Sequence, residues 1–200
     1  MRATLPHTTH FLPRQTRRLP QILRAVVGLA LTLWLAACDR PPVNRDPGRP
    51  LTTVQSVDLE RYTGRWFEIA RLPNSFEEGC VGVTATYSRN PDGTIKVVNR
   101  CRKGTLDGPE DVAEGVATVV DTRTNAKLSV TFFWPFAGDY WVLDLDPDYA
   151  WALVGEPSGR YLWILSRTPT ITREERAKLV AKLEGMGYRT QALYWTPQQP

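Results

Sequence analysis

Between residues 64 and 167 the chain carries eight short segments of alternating or continuous apolar character, each divided from the next by a turn signal. A period of two over so few residues suits strands and leaves no room there for amphipathic helices. Residues 64–72 alternate, with Trp66, Glu68 and Ala70 on one face and Phe67 and Ile69 on the other. Residues 81–89 and 94–102 flank Asn90-Pro91-Asp92-Gly93, in which Pro fixes one dihedral and Gly permits a positive one. Residues 115–121 and 126–133, then 139–145 and 149–155, flank two further turns, and 160–167 completes the series. Tight connections pair neighbours in sequence without long crossings, so the expected fold is all-β, an eight-stranded antiparallel up-and-down barrel.

Two segments, YWVLDL at 140–145 and YLWIL at 161–165, are apolar on both faces. Either two sheets pack together, or a closed barrel has part of its outer wall covered by a helix. A helix is available. Thr172 and Glu175 make a capping box, Leu179, Val180, Leu183 and Met186 form an apolar stripe, and Gly185 and Gly187 lie where a C-cap belongs. A short final strand over 190–194 is expected to pair with an exposed barrel edge. A barrel of this size is either filled by its own side chains or holds one small ligand.

The basic excess, 25 Lys+Arg against 21 Asp+Glu, does not mark a nucleic-acid binder. Residues 1–37 hold five arginines and no acid, which leaves 20 basic and 21 acidic groups in 38–200, a net charge of −1. Residues 25–37 are an uncharged, mostly apolar run of 13 that ends in small side chains, the architecture of a signal peptide and too short for a membrane-spanning helix. Leu35-Ala36-Ala37-Cys38 resembles the lipobox of bacterial lipoproteins, in which the cysteine thiol is acylated and the chain is cut before it. Cys38 is thus the expected lipid attachment site, and two or three acyl chains hold a protein to a membrane stably where one does not. Residues 38–50, the lipidated Cys and a stretch with four prolines, are expected to be a tether to a domain spanning 51–200. Asp39 resembles the inner-membrane retention signal of enteric bacteria, which leaves inner-membrane retention open beside outer-membrane delivery.

Both histidines, His7 and His10, precede the cleavage point, so the mature chain lacks the commonest metal ligand and the commonest general base. No hydrolytic carboxylate spacing, nucleophile motif or phosphate loop is present in it. A binding protein without catalytic residues, metal or cofactor is the economical reading. Cys80 and Cys101 sit on the two arms of the 90–93 hairpin in a chain bound for an oxidising compartment, and a disulfide is expected there rather than two free thiols. It would close a loop of about 20 residues and contribute roughly 3 kcal/mol in the chain-entropy model.

The chain resembles the lipocalins, specifically the bacterial lipocalin subfamily of outer-membrane lipoproteins related to apolipoprotein D. The resemblance rests on Gly64-Arg65-Trp66, on GVTATYSRNPDGTIKVVNR at 82–100, on Asp146-Pro147-Asp148-Tyr149, and on YLWILSRTPTI at 161–171 with Arg167 at the family's arginine position. It implies a closed barrel end built by Gly64, Trp66, Asp146, Tyr149 and Arg167, with the guanidinium over the indole. It also implies non-catalytic binding of a small hydrophobic molecule, a fatty acid or lysophospholipid, for membrane maintenance under stress, sometimes in a homodimer. The other end gathers Phe76, Trp134 and Phe136, which either admit ligand or touch a lipid surface, or else fold back over the mouth or outer wall. Arg71 and Arg102 are the candidates for a phosphate head group. A competing reading is a periplasmic inhibitor or envelope-assembly lipoprotein with a filled barrel that binds another protein through its outer surface.

Overall fold

The computed structural model describes residues 40–199. In chain order these form α1 (Leu59–Tyr62), β1 (Gly64–Arg71), β2 (Cys80–Arg89), β3 (Ile95–Lys103), β4 (Glu110–Val119), β5 (Lys127–Phe133), β6 (Phe136–Leu145), β7 (Trp151–Gly155), β8 (Leu162–Ser166), α2 (Arg173–Gly185) and β9 (Tyr194–Trp195). Strands β2 to β8 follow one another antiparallel, β8 pairs with β1, and β1 pairs back onto β2, which closes an eight-stranded barrel. Alternation sorts the faces. In β3, Ile95 and Val97 are buried inside while Arg100 and Arg102 face solvent.

Strands β4 and β6 begin earlier than the apolar pattern indicates, so the connections expected over 103–114 and 134–138 shrink to 104–109 and 134–135. The start of β4 is polar and was invisible to hydrophobic periodicity. Opposite charges across β3 and β4 hold it instead: Lys96 to Glu114 at 2.9 Å, Arg100 to Glu110 at 3.1 Å and Lys103 to Asp111 at 3.2 Å.

Two apolar layers result. One fills the barrel, with Trp66, Tyr87, Val97, Ala117, Leu128 and Leu165 among its members. The other lies outside β7, β8 and β1, where α2 buries Leu179 and Leu183 against Trp151, Leu153 and Ile164. A covering helix is therefore why some strands are apolar on both faces. The Thr172–Glu175 capping box starts α2, and Gly187, at φ +89°, carries the chain out of it.

The final strand is later and shorter than expected, after a 3-10 turn at Thr190–Ala192. It works as a stitch. Strand β1 pairs with β2 only over Gly64–Phe67; beyond a bulge at Glu68–Ala70 its edge is taken by β9 and the residues after it. The Thr196 amide donates to the Ile69 carbonyl, the Gly82 amide donates to the Pro197 carbonyl, and the Gln198 amide nitrogen reaches the carbonyls of Glu68 and Val83.

Much of the Pro-rich stretch expected as a tether is docked. The Asn44 amide donates to Gly159, Arg45 pairs with Tyr188, and the Asp46 amide donates to Gly187. Its prolines exclude regular structure without preventing burial, and Arg45 is 4% exposed. From there the chain runs down the wall, with Val54 bonded to Val142 and Val57 to Thr124, and reaches α1 at the end where β1 begins.

Candidate functional site

The up-and-down order puts the turns after β2, β4 and β6 at the end occupied by α1, and the turns after β1, β3, β5 and β7 at the other, the mouth. At the α1 end the chain must turn sharply into β1, and Gly64 does so at φ +91°, where a Cβ would stand 3.3 Å from an Arg167 nitrogen. Arg167 lies 3.8 Å from the centre of the Trp66 ring and donates to the carbonyls of Arg65 at 2.9 Å and Arg61 at 2.6 Å. The fully buried Trp66 indole donates to the Tyr62 carbonyl at 2.9 Å. Asp146 accepts from the amides of Asp148 and Ala150, shaping a turn that holds Tyr149 at φ +61°. The Tyr149 hydroxyl then accepts from the Asp58 amide at 2.8 Å, and Asp58 in turn caps α1. All five residues brought together by the resemblance stand at this end.

Above this floor is a small apolar cavity of about 20 Å³, lined among others by Leu59, Ile95, Ala117, Leu128 and Val130. Its polar side chains are Thr63 and the phenols of Tyr62, Tyr87 and Tyr140. The Tyr140 hydroxyl lies 2.8 Å from that of Tyr62 and 3.0 Å from that of Tyr87. Burial raises all three pKa values, that of Tyr87 to about 12, so the group is polar but uncharged. Sequence reasoning missed this triad because its members come from α1, β2 and β6, although the inward parity of Tyr87 and Tyr140 was available. Higher up, Phe132 lies across Gly115, where any Cβ would come within 2.8 Å of the ring.

The mouth half holds a buried charged cluster. The bulge in β1 turns Ile69 and Ala70 outward together and leaves Glu68 and Arg71 both inward. Arg71 donates to Glu68 at 2.6 Å and to the Glu77 carbonyl at 2.7 Å, and stands 3.9 Å from the Glu77 carboxylate. Thr196 donates to Glu68, and the Trp163 indole donates to Glu77 at 3.0 Å. Two carboxylates converge on one guanidinium, and burial together with Glu77 pushes Glu68 up to about 8 against the opposing pull of Arg71. Arg71 is thus inside the barrel but already engaged. Arg102 faces the other way: it is on the outer wall, 3.7 Å from Glu110, because alternation puts it opposite in sense to Cys101. Of the two head-group candidates, Arg102 thus faces away from the interior, while Arg71 faces it with its guanidinium held by Glu68 and Glu77. The role of Glu77, Trp163 and Thr196 had no sequence signal, since a bulge, a loop and a distant tail bring them together.

Cys80 and Cys101 are joined, with Cα atoms 5.4 Å apart, on the inner face near the mouth. Phe76 is 60% exposed and stacks near Tyr161 at 5.6 Å and Trp163 at 6.4 Å. Phe133, Trp134 and Phe136, at 77%, 89% and 77% exposure, form the tip of the β5–β6 hairpin. They sit on strand ends and a two-residue turn rather than in the longer loop expected, and do not fold back over the wall. Cys38 and Asp39 lie outside the described residues.

A lipocalin-like domain model matches residues 57–198. Over 180 residues, 90% of this chain and 98% of that protein, the chain is 39% identical to the outer membrane lipoprotein Blc of Escherichia coli (strain K12). Over 159 residues, 75% of this chain and 84% of that protein, it is 43% identical to temperature-induced lipocalin-1 of Arabidopsis thaliana. Insecticyanin from the tobacco hornworm Manduca sexta has a similar structure, with a TM-score of 0.60 over 75% of this chain and 85% of that one at 20% identity, a likeness of fold alone. The chain belongs to the lipocalin family, as a non-catalytic small-molecule-binding protein, and is similar within it to a lipoprotein of the outer membrane.

Proposed function

We propose that the barrel binds a lipid with one acyl chain, a fatty acid or a lysophospholipid, for maintenance of the membrane under stress. The observation that carries this reading is the division of the interior: apolar space with uncharged phenols low in the barrel, and the buried charged cluster in the mouth half. An acyl chain gains about 0.8 kcal/mol per buried CH₂ when it points toward the floor, and its head then remains near the mouth. Asn99 adds a polar position on the inner face of β3, with a buried side-chain oxygen that has no partner among the described residues. Cys38 is the acyl acceptor in this reading, with residues 1–37 removed before it, and Cys38→Ser should abolish acyl labelling.

Native mass spectrometry of the purified mature chain, incubated with palmitate or a palmitoyl lysophospholipid, should show one lipid retained per chain. Phe132→Ala, which clears the space across from Gly115, should increase retention of the longer chain. A protein that stays ligand-free in both forms would favour the competing role of a filled barrel that binds another protein. The same spectra read whether two copies associate.

A further inference from the structure

We infer that the mouth of the barrel rests on the bilayer that holds the anchor, with the aromatic tip of the β5–β6 hairpin in the lipid interface. The inference rests on Cys38 being the acylated residue. Two independent features of the fold point the same way.

The first is where the chain leaves the domain. Pro41 accepts a hydrogen bond from Arg160 and Asn44 bonds to Gly159, both in the turn between β7 and β8, which is at the mouth. This docking is close. Gly159, at φ +71°, would place a Cβ 2.5 Å from that of Arg45, and the Arg45 side chain is buried with its Nε donating to the Met186 carbonyl at 3.1 Å. Only Asp39 and Arg40 then separate Pro41 from Cys38, three residue steps with a reach of about 10 Å when fully extended. A free tether of the whole 38–50 stretch would have let the barrel take any orientation; the docked one does not.

The second is the surface at that end. Phe133, Trp134 and Phe136 are the most exposed aromatic side chains among the described residues, they are contiguous on one hairpin tip, and the tip projects from the same end of the barrel as Gly159. Large aromatic rings left in water at one end suit the boundary between head groups and acyl chains. A lipid surface is the occupant because the anchor's short reach already brings one there. A lipid could then pass between bilayer and barrel without its acyl chain crossing water.

The test uses the full acylated chain in vesicles of phosphatidylethanolamine and phosphatidylglycerol, with acylation of Cys38 verified by mass spectrometry. A nitroxide is attached at Trp134→Cys or, in a second preparation, at Arg123→Cys in the exposed turn between β4 and β5 at the closed end. The label at 134 should collide more with oxygen than with a water-soluble nickel chelate, and the label at 123 should show the reverse. Both labels in water on an acylated chain would overturn the inference while leaving the anchor intact, as would lipid contact at 123 instead of 134. Spin–spin coupling between labels at 134 without lipid contact would assign the tip to a second copy and overturn it too. A chain without acyl groups on Cys38 would remove the anchor and the inference together.

Discussion

Glu68 is an acid that the fold keeps away from water, 2% exposed, beside one guanidinium that it shares with Glu77. Desolvation and the second carboxylate both favour its neutral form, and Arg71 opposes them without prevailing. Between the ordinary value of 4.5 and about 8 the folded chain therefore holds a proton that the unfolded chain has released. Unfolding releases that proton, so this group's contribution lowers stability as pH rises through the window. Glu68→Gln keeps the neutral shape and removes the titration. Melting temperatures across the window should fall less steeply with pH for Glu68→Gln than for the native chain; an unchanged slope would place the proton elsewhere. The sequence offered Glu68 and Arg71 only as two polar residues on one strand. Simple alternation puts them on opposite faces, and the bulge that reunites them has no local signature.

At the scale of elements, the same half of the barrel depends on a segment that looks like an ordinary C-terminus. Strands β1 and β2 separate beyond Phe67, and residues 196–198 fill the gap with backbone and side-chain bonds to both edges. Deleting residues 196–200 removes these bonds, exposes the edge of β1 and leaves Glu68 without Thr196. At roughly 0.5–1.5 kcal/mol for each of these five hydrogen bonds the deletion should cost about 2.5–7.5 kcal/mol. Hydrogen exchange would separate this from general destabilisation: the Gly82 amide, which donates to Pro197, should lose protection first, while amides between β3 and β4 keep theirs. Elements with strong periodicity were legible in the sequence, including the capping box and stripe of α2 and the 90–93 hairpin. The first turns of β4 were not, because a charged ladder has no apolar period, and the stitch was not, because its meaning depends on a strand separation more than 100 residues away in sequence.

For the whole molecule, the two ends of the barrel are built by different physics, and substitutions should report that difference. The floor is packed and cross-bonded: Trp66 is fully buried, donates to Tyr62 and lies under Arg167, while Tyr149 ties α1 to the turn between β6 and β7. The spacing of Gly64, Trp66 and Arg167 could be matched to a known pattern because packing of this kind leaves a fixed residue signature. The mouth is built from a docked N-terminal strap, an exposed aromatic tip and a stitched seam, and partners distant in sequence define each except the tip. Trp66→Ala should therefore cost about 3–5 kcal/mol, a large fall in the melting temperature of the ligand-free chain. Trp134→Ser removes a side chain that is 89% exposed and should change stability by less than about 0.5 kcal/mol. Its effect should appear instead in transfer: the rate at which a fluorescent fatty acid moves from vesicles to the anchored chain should drop, while Trp66→Ala at a temperature where it remains folded should alter affinity more than rate. Equal destabilisation by the two changes would mean that the aromatic tip is part of the packed wall, and unchanged transfer by Trp134→Ser would mean that lipid enters elsewhere along the rim.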